Sequence, residues 1–178
     1  MLTIGGDHIS NDLAVGLKIS LHRAEKLKRE HGSAIVTEAA RDQLVSVTDE
    51  RGWEVKQVKV ERVQLIMALR IDEVFMVIAE ELEKEDMAQW LNGGVLLCGG
   101  CARVPQILTV AERIFQLPAA LGHAHAVSGL ASTLDEPEFA TAIGLVKYGA
   151  IFQRKPVASP GWWARFTEFI KKLLSLVR

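Results

Sequence analysis

Residues 93–106 read GGVLLCGGCARVPQ, and the meaning of this stretch decides the fold. Residues 94–97 are uninterruptedly apolar, as expected of a short strand in a parallel sheet, buried on both faces. The strand runs directly into Cys98-Gly99-Gly100-Cys101, which holds both cysteines of the chain. A helix is predicted from about residue 105 to residue 115, with Pro105 near its first turn. The strand–turn–helix order makes the stretch one step of an α/β layer. The C-x-x-C pair poses a separate question: a redox or metal motif, or a glycine turn that carries two thiols.

Outward from this stretch, the pattern stays mixed. Gly5-Gly6-Asp7 precedes an apolar stripe of Ile9, Leu13, Val15 and Leu17, with Asp7 placed to cap the helix. Ser20 is an N-cap for a helix over residues 21–30, and Gly32 suits a left-handed C-cap. Residues 43–47 and 54–60 are rich in β-branched side chains, and Asp49-Glu50-Arg51-Gly52 between them is turn chemistry, so a β-hairpin is expected. Residues 61–85 contain neither Gly nor Pro and carry Val63, Ile66, Met67, Leu69, Val74, Val77, Ile78 and Leu82 at helical spacing. Another helix is expected over residues 136–148, opened by Pro137 and closed by Gly149. Residues 153–161 (QRKPVASPG) read as a linker.

Bulk properties exclude several classes. Hydrophobic residues make up 49% of the 178, so a packed core is available and wholesale disorder is not expected. The net charge of −1 gives no basic field for nucleic acid. Two cysteines do not make a secreted disulfide framework. The N-terminus lacks a basic region followed by an apolar run, and no stretch reaches the roughly 18 apolar residues of a spanning helix. A cytoplasmic location is the expectation.

The last 17 residues, WWARFTEFIKKLLSLVR (162–178), stand apart. Trp162, Trp163, Phe166, Phe169, Ile170, Leu173, Leu174 and Val177 recur at spacings of three and four, so one helical face is apolar. Arg165, Lys171, Lys172 and Arg178 oppose a single Glu168 on the other face, a net +3 in a chain whose total is −1. Terminal amphipathic helices usually pack on their own core. Here the Pro/Gly linker and the cationic face favour a helix lying in a membrane interface, with anionic headgroups as counter-charges.

The ordered series GGDHISNDLAVGL, AEKLKREHGSA, GGVLLCGGCARVPQI and VSGLASTLDEPEFATAIGLVKYGA, ending in the amphipathic helix, resembles the FtsA family of actin-like cell-division proteins. GGDHI-x-NDLA and EFATAIGL-x-x-YG are the most specific pieces. The actin-like MreB and Hsp70 families lack such a C-terminal helix. The resemblance implies an α/β, ribonuclease H-like second lobe of the actin fold over residues 1–152. Its sheet is incomplete, and a hairpin and long helix are inserted over about 33–92.

The resemblance also implies residue roles. Gly99 and Gly100 match the turn against adenine and ribose, with Cys101 where a third glycine usually stands. Glu25 and Lys28 match the helix that reaches the nucleoside from the opposite side, and Gly5 and Gly6 match the turn near the phosphates, so ATP or ADP is the implied ligand, with its binding expected to be weak or lost in this lobe alone. The first lobe and its Asp-x-Gly-x-Gly-Thr phosphate loop are not among these residues, so ATP hydrolysis is not expected. Arg70 and Glu73 match positions that contact the C-terminal tail of FtsZ; an exposed Arg/Glu pair can equally pair only with itself. Residues 162–178 match a membrane-targeting helix. Together these roles describe an adaptor linking FtsZ to anionic lipid on the cytoplasmic face of the inner membrane at the division site, with self-association as a further expectation.

Two other readings remain. A thioredoxin-like pair needs C-x-x-C at a helix start, which Cys98 and Cys101 satisfy, but both intervening residues are glycine. A zinc site would draw its missing ligands from His123 and His125. For an enzyme, Asp135, Glu136 and Glu138 cluster, yet Glu136-Pro137 is ordinary helix-start chemistry and no nucleophile–base pair is visible.

Overall fold

A computed structural model describes residues 3–48, 53–87, 91, 93–123 and 136–153, without the side chains of 54, 55 and 153. The hairpin turn at 49–52, His125, Asp135, the linker from 154 and the amphipathic segment 162–178 lie outside the described residues. The chain forms two units, Met1–Ala140 and Thr141–Arg178.

Apolar side chains four residues apart build α1 (Gly6–Leu17), which buries Ile9, Leu13 and Leu17. Val15 falls on the opposite side of that helix and is 70% exposed. Asp7 does not cap α1. Gly5 holds the N-cap position, its amide donating to His8 Nδ1 at 3.2 Å, and Asp7 sits in the first turn, where its charge favours the helix dipole. Ser20 opens α2 (Leu21–His31), whose Ala24 and Leu27 are buried. Gly32 is extended (φ −72°, ψ 150°) rather than left-handed. Glycine is needed there for space: a Cβ would fall 2.5 Å from Met67 Sδ and collide with the Lys28 carbonyl.

The hairpin forms as expected, from β1 (Leu44–Thr48) and β2 (Glu54–Lys59), with a bulge at Val47/Thr48. Val47 and Val58 turn into the core. Lys56, paired with Val47 in register, lays its ammonium on the Leu17 carbonyl at 2.7 Å and so caps the end of α1. The chain passes from β2 straight into α3 (Val60–Lys84), which buries Val63, Gln64, Met67, Ile71 and Phe75. Leu69, predicted on the apolar face, is 64% exposed. Gln64 is the buried polar residue that the apolar pattern hides: it accepts from the Thr37 amide (2.9 Å) and donates to the His31 carbonyl (3.3 Å), tying α2 to α3.

β3 (Val95–Leu97), α4 (Ile107–Phe115) and β4 (Ala119–Leu121) make a parallel crossover, with Val95 opposite Ala119 and Leu97 opposite Leu121. Leu97 and Ala119 pack on the core, to which α4 adds Ile107, Val110 and Ala111. Leu96 is 68% exposed, so the strand is not buried on both faces. Among the described residues the sheet has only two strands, and side chains alternate along each. Leu13, Ala24, Val63, Met67, Val110 and Ala111 are wholly buried where α1, α2, α3 and α4 meet.

A 3₁₀ turn, Pro137–Phe139, ends the first unit, and the second opens within α5 (Ala140–Gln153). It runs through Gly149, where the sequence placed its end. A glycine flanked by Tyr148 and Ala150 costs the helix about 1 kcal/mol, which does not stop it, and the next breaker in the sequence is Pro156. The Tyr148 and Phe152 rings meet one turn apart in a tilted arrangement, centroids 4.5 Å.

Candidate functional site

The glycine turn of residues 98–101 lies next to the glycine start of α1. Gly99 has φ +93°, a backbone conformation natural only to glycine, and its amide donates to the Pro137 carbonyl at 2.7 Å. Gly100 then opens a 3₁₀ turn, Gly100–Arg103. A Cβ on Gly100 would meet nothing within 4 Å, so this glycine leaves open space. Cys101 Sγ lies 3.0 Å from where a Cβ of Gly6 would stand, and Lys28 Nζ lies 3.6 Å from it. A side chain at position 6 would press on the Cys101 thiol, so glycine suits the close approach of α1 to the turn.

These elements border a cleft of about 1180 Å³. Of the six residues expected on a nucleotide, Glu25, Lys28 and Gly100 line it. Gly6 is joined to it through Lys28 and Cys101, while Gly5 and Gly99 do not line it. The far wall is clamped by Arg103, which bridges Glu136 (2.9 Å) and Glu138 (2.6 Å). Glu136 and Glu138, which the sequence grouped as acids, thus serve as the counter-charges of an arginine.

Lys28 makes three contacts: the Gly6 carbonyl at 3.0 Å, Ser10 Oγ at 2.7 Å and Glu25 Oε2 at 2.5 Å. An ammonium has three N–H donors, so all are engaged. Ser10 Oγ also lies 2.5 Å from Glu25 Oε2. Partial burial works to raise the Glu25 pKa. Hydrogen bonds from Lys28 and Ser10 and the charges of Lys28 and Arg29 outweigh it and hold the carboxyl below its ordinary value. Glu25 is therefore an anion, its side chain 41% exposed. Such a group accepts hydrogen bonds and donates none, which suits hydroxyl or amino donors of a ligand. Ser10, 2% exposed, gave no sequence signal beyond its place one position after an apolar residue.

The two thiols diverge. Cys101 faces Gly6, whereas Cys98 packs over Gly122 at the end of β4. Cys98, which follows the strand expected to be buried, is exposed, and both thiols are free. Among the described residues no group of three or more His, Cys, Asp or Glu side chains could hold a metal ion. Nothing in this geometry supports a poised redox or zinc pair.

Arg70 and Glu73 lie elsewhere, on α3. Arg70 is not a free exposed cation. It grips Asp12 of α1 with two nitrogens (2.5 and 2.9 Å) and reaches Glu73 Oε2 at 2.8 Å with a third. Arg70 is 24% exposed and Glu73 57%. No helix among the described residues is long and apolar enough to cross a membrane.

This crossover-and-helix unit with a glycine-lined cleft has the fold of actin-like proteins. It superposes on MreB5 of Spiroplasma citri, crystallised bound to ADP, with TM-score 0.63 and 19% identity over 85% of this chain and 46% of that one. The family model "Cell division protein FtsA" matches residues 1–144, and the chain belongs to the FtsA family. Relatives include the FtsA proteins of Pseudomonas aeruginosa (26% identical; 84% of this chain, 36% of that protein) and Neisseria meningitidis (32%; 82% and 36%). FtsA of Escherichia coli is 25% identical along all of this chain and 44% of its own length. The chain thus spans about a third of the first two relatives.

Proposed function

We propose that this member of a cell-division family acts as an adaptor. It holds an adenine nucleotide in the cleft between the Gly99-Gly100 turn and α2, binds the FtsZ tail at α3, and lies on anionic lipid through residues 162–178. The observation that carries the nucleotide part is the convergence of Glu25 and Lys28 of α2 with Gly100 of the glycine turn on one cleft, with Lys28 tied to the Gly6 carbonyl at the start of α1. The ADP-bound state of the MreB5 relative supports it. The cationic amphipathic pattern of 162–178 supports the lipid part.

The α3 part has a direct test. Anionic liposomes carrying the intact chain are expected to capture a fluorescent peptide of the FtsZ C-terminal tail. Arg70→Glu should weaken capture about tenfold or more while leaving the chain on the liposomes. Because Arg70 also holds Asp12, Asp12→Asn serves as the control: it removes the same intramolecular bridge but keeps the cation. Equal loss in both variants would mean that Arg70 acts through the α1–α3 contact, and no loss in either would remove the site.

A further inference from the structure

The geometry points to Ser10 as a positioning residue of the cleft, one that fixes the ionised Glu25 carboxylate toward the ligand and keeps Lys28 turned inward. The inference rests on reading the cleft as a nucleotide site, but its first test does not depend on that reading.

Ser10 is buried at 2% exposure, yet its hydroxyl meets two charged groups at once. It accepts from Lys28 Nζ (2.7 Å) and has one hydrogen to give. Two acceptors compete for that hydrogen, Glu25 Oε2 at 2.5 Å and the Gly6 carbonyl at 3.2 Å. The carboxylate is closer and charged, so it takes the hydrogen. Glu25 Oε2 is then held by both Ser10 and Lys28, and among the described residues no protein group holds Oε1. The second oxygen is left for the cleft that Glu25 lines.

The arrangement assigns the three residues distinct work. Lys28 spends its donors on Gly6, Ser10 and Glu25, so it neutralises the pair instead of offering a free ammonium to an anion. Ser10 fixes the geometry because it is rigidly placed on α1, one turn beyond Gly6. Without the hydroxyl, Lys28 regains a donor and Glu25 loses one of two restraints. The carboxylate can then rotate, and the ammonium can swing into the cleft. The charges facing Glu25 are Lys28 and Arg29 of its own helix; from α1 the facing group is Ser10 itself.

The test uses the full chain with ¹³C-labelled glutamate side chains, and Glu25→Gln identifies the Glu25 resonance. In Ser10→Ala the Glu25 carboxyl should titrate at higher pH than in the unaltered protein, and Ser10→Thr, which keeps the hydroxyl, should restore the lower value. In parallel, binding of fluorescent mant-ADP should weaken about tenfold in Ser10→Ala and recover in Ser10→Thr. An unshifted Glu25 titration in Ser10→Ala overturns the inference. So does a shifted titration with unchanged mant-ADP affinity while Glu25→Gln loses binding, since Ser10 would then be structural only. If the unaltered protein binds no mant-ADP, the nucleotide reading falls, and the titration alone decides whether Ser10 sets Glu25.

Discussion

Removing residues 162–178 is expected to release the protein from anionic liposomes, with apparent affinity falling on the order of a hundredfold or more. Eight large apolar side chains at helical spacing would supply the buried area of the proposed anchor: Trp162, Trp163, Phe166, Phe169, Ile170, Leu173, Leu174 and Val177. Four cations against one acid supply the attraction to anionic headgroups, each worth about 1 kcal/mol near such a surface. The two contributions separate experimentally. Lys171→Glu with Lys172→Glu keeps the apolar face and reverses two charges, so binding should drop roughly a hundredfold on anionic vesicles. On neutral vesicles the double reversal should have little effect. Raising salt should mimic it, because screening shortens the reach of the headgroup field. Co-sedimentation of the truncated chain equal to that of the intact one would refute the membrane anchor.

The second large effect lies in the core. Gly32→Ala is expected to destabilise the first unit by about 3 kcal/mol, lowering Tm by roughly 10 °C. The new methyl would press into the Lys28 carbonyl at the end of α2 and into Met67, which is wholly buried on α3. Neither can yield cheaply. The Lys28 carbonyl accepts the Gly32 amide at 3.1 Å, and two residues on, the Ala34 amide is tied to the Pro105 carbonyl at 2.9 Å. Displacing Lys28 would also pull its ammonium from Ser10 and Glu25. The variant should therefore lose mant-ADP affinity together with stability. Gly5→Ala and Gly100→Ala are the contrast, since a Cβ at either meets nothing within 4 Å. Thermal unfolding followed by circular dichroism ranks the three; equal Tm values for all of them would contradict the packing described.

The sequence by itself carried the elements. Periodicity placed α1, α2 and α3 to within a residue or two at most ends, because side chains that recur every three or four positions can be buried only on a helix. β-branched content around a polar turn found the hairpin. The order of the motifs along the chain, with GGDHI-x-NDLA near its start and EFATAIGL-x-x-YG late in it, pointed to the family. Errors fell where a local pattern has two physical meanings. Gly32 looked like a left-handed cap and is a packing glycine. Gly149 looked like a stop and is a helical interior residue. Leu69 and Val15 matched an apolar count and face solvent.

Tertiary structure alone decided the contacts around the cleft. Nothing in the spacing of Gly6, Ser10, Glu25, Lys28 and Cys101 says that a glycine at 6 must clear a thiol at 101, or that a serine on α1 completes the donor set of a lysine on α2. These contacts join residues far apart in sequence, and their geometry follows from how α1, α2 and the β3–α4 turn are held by a common core. The same holds for Arg70, which the sequence paired with Glu73 alone and the fold ties also to Asp12, 58 positions away. Local chemistry fixes which segments are helix or strand, through backbone sterics and side-chain period. Which charges are spent inside the fold and which remain for a ligand depends on packing across the chain, and no local pattern encodes it.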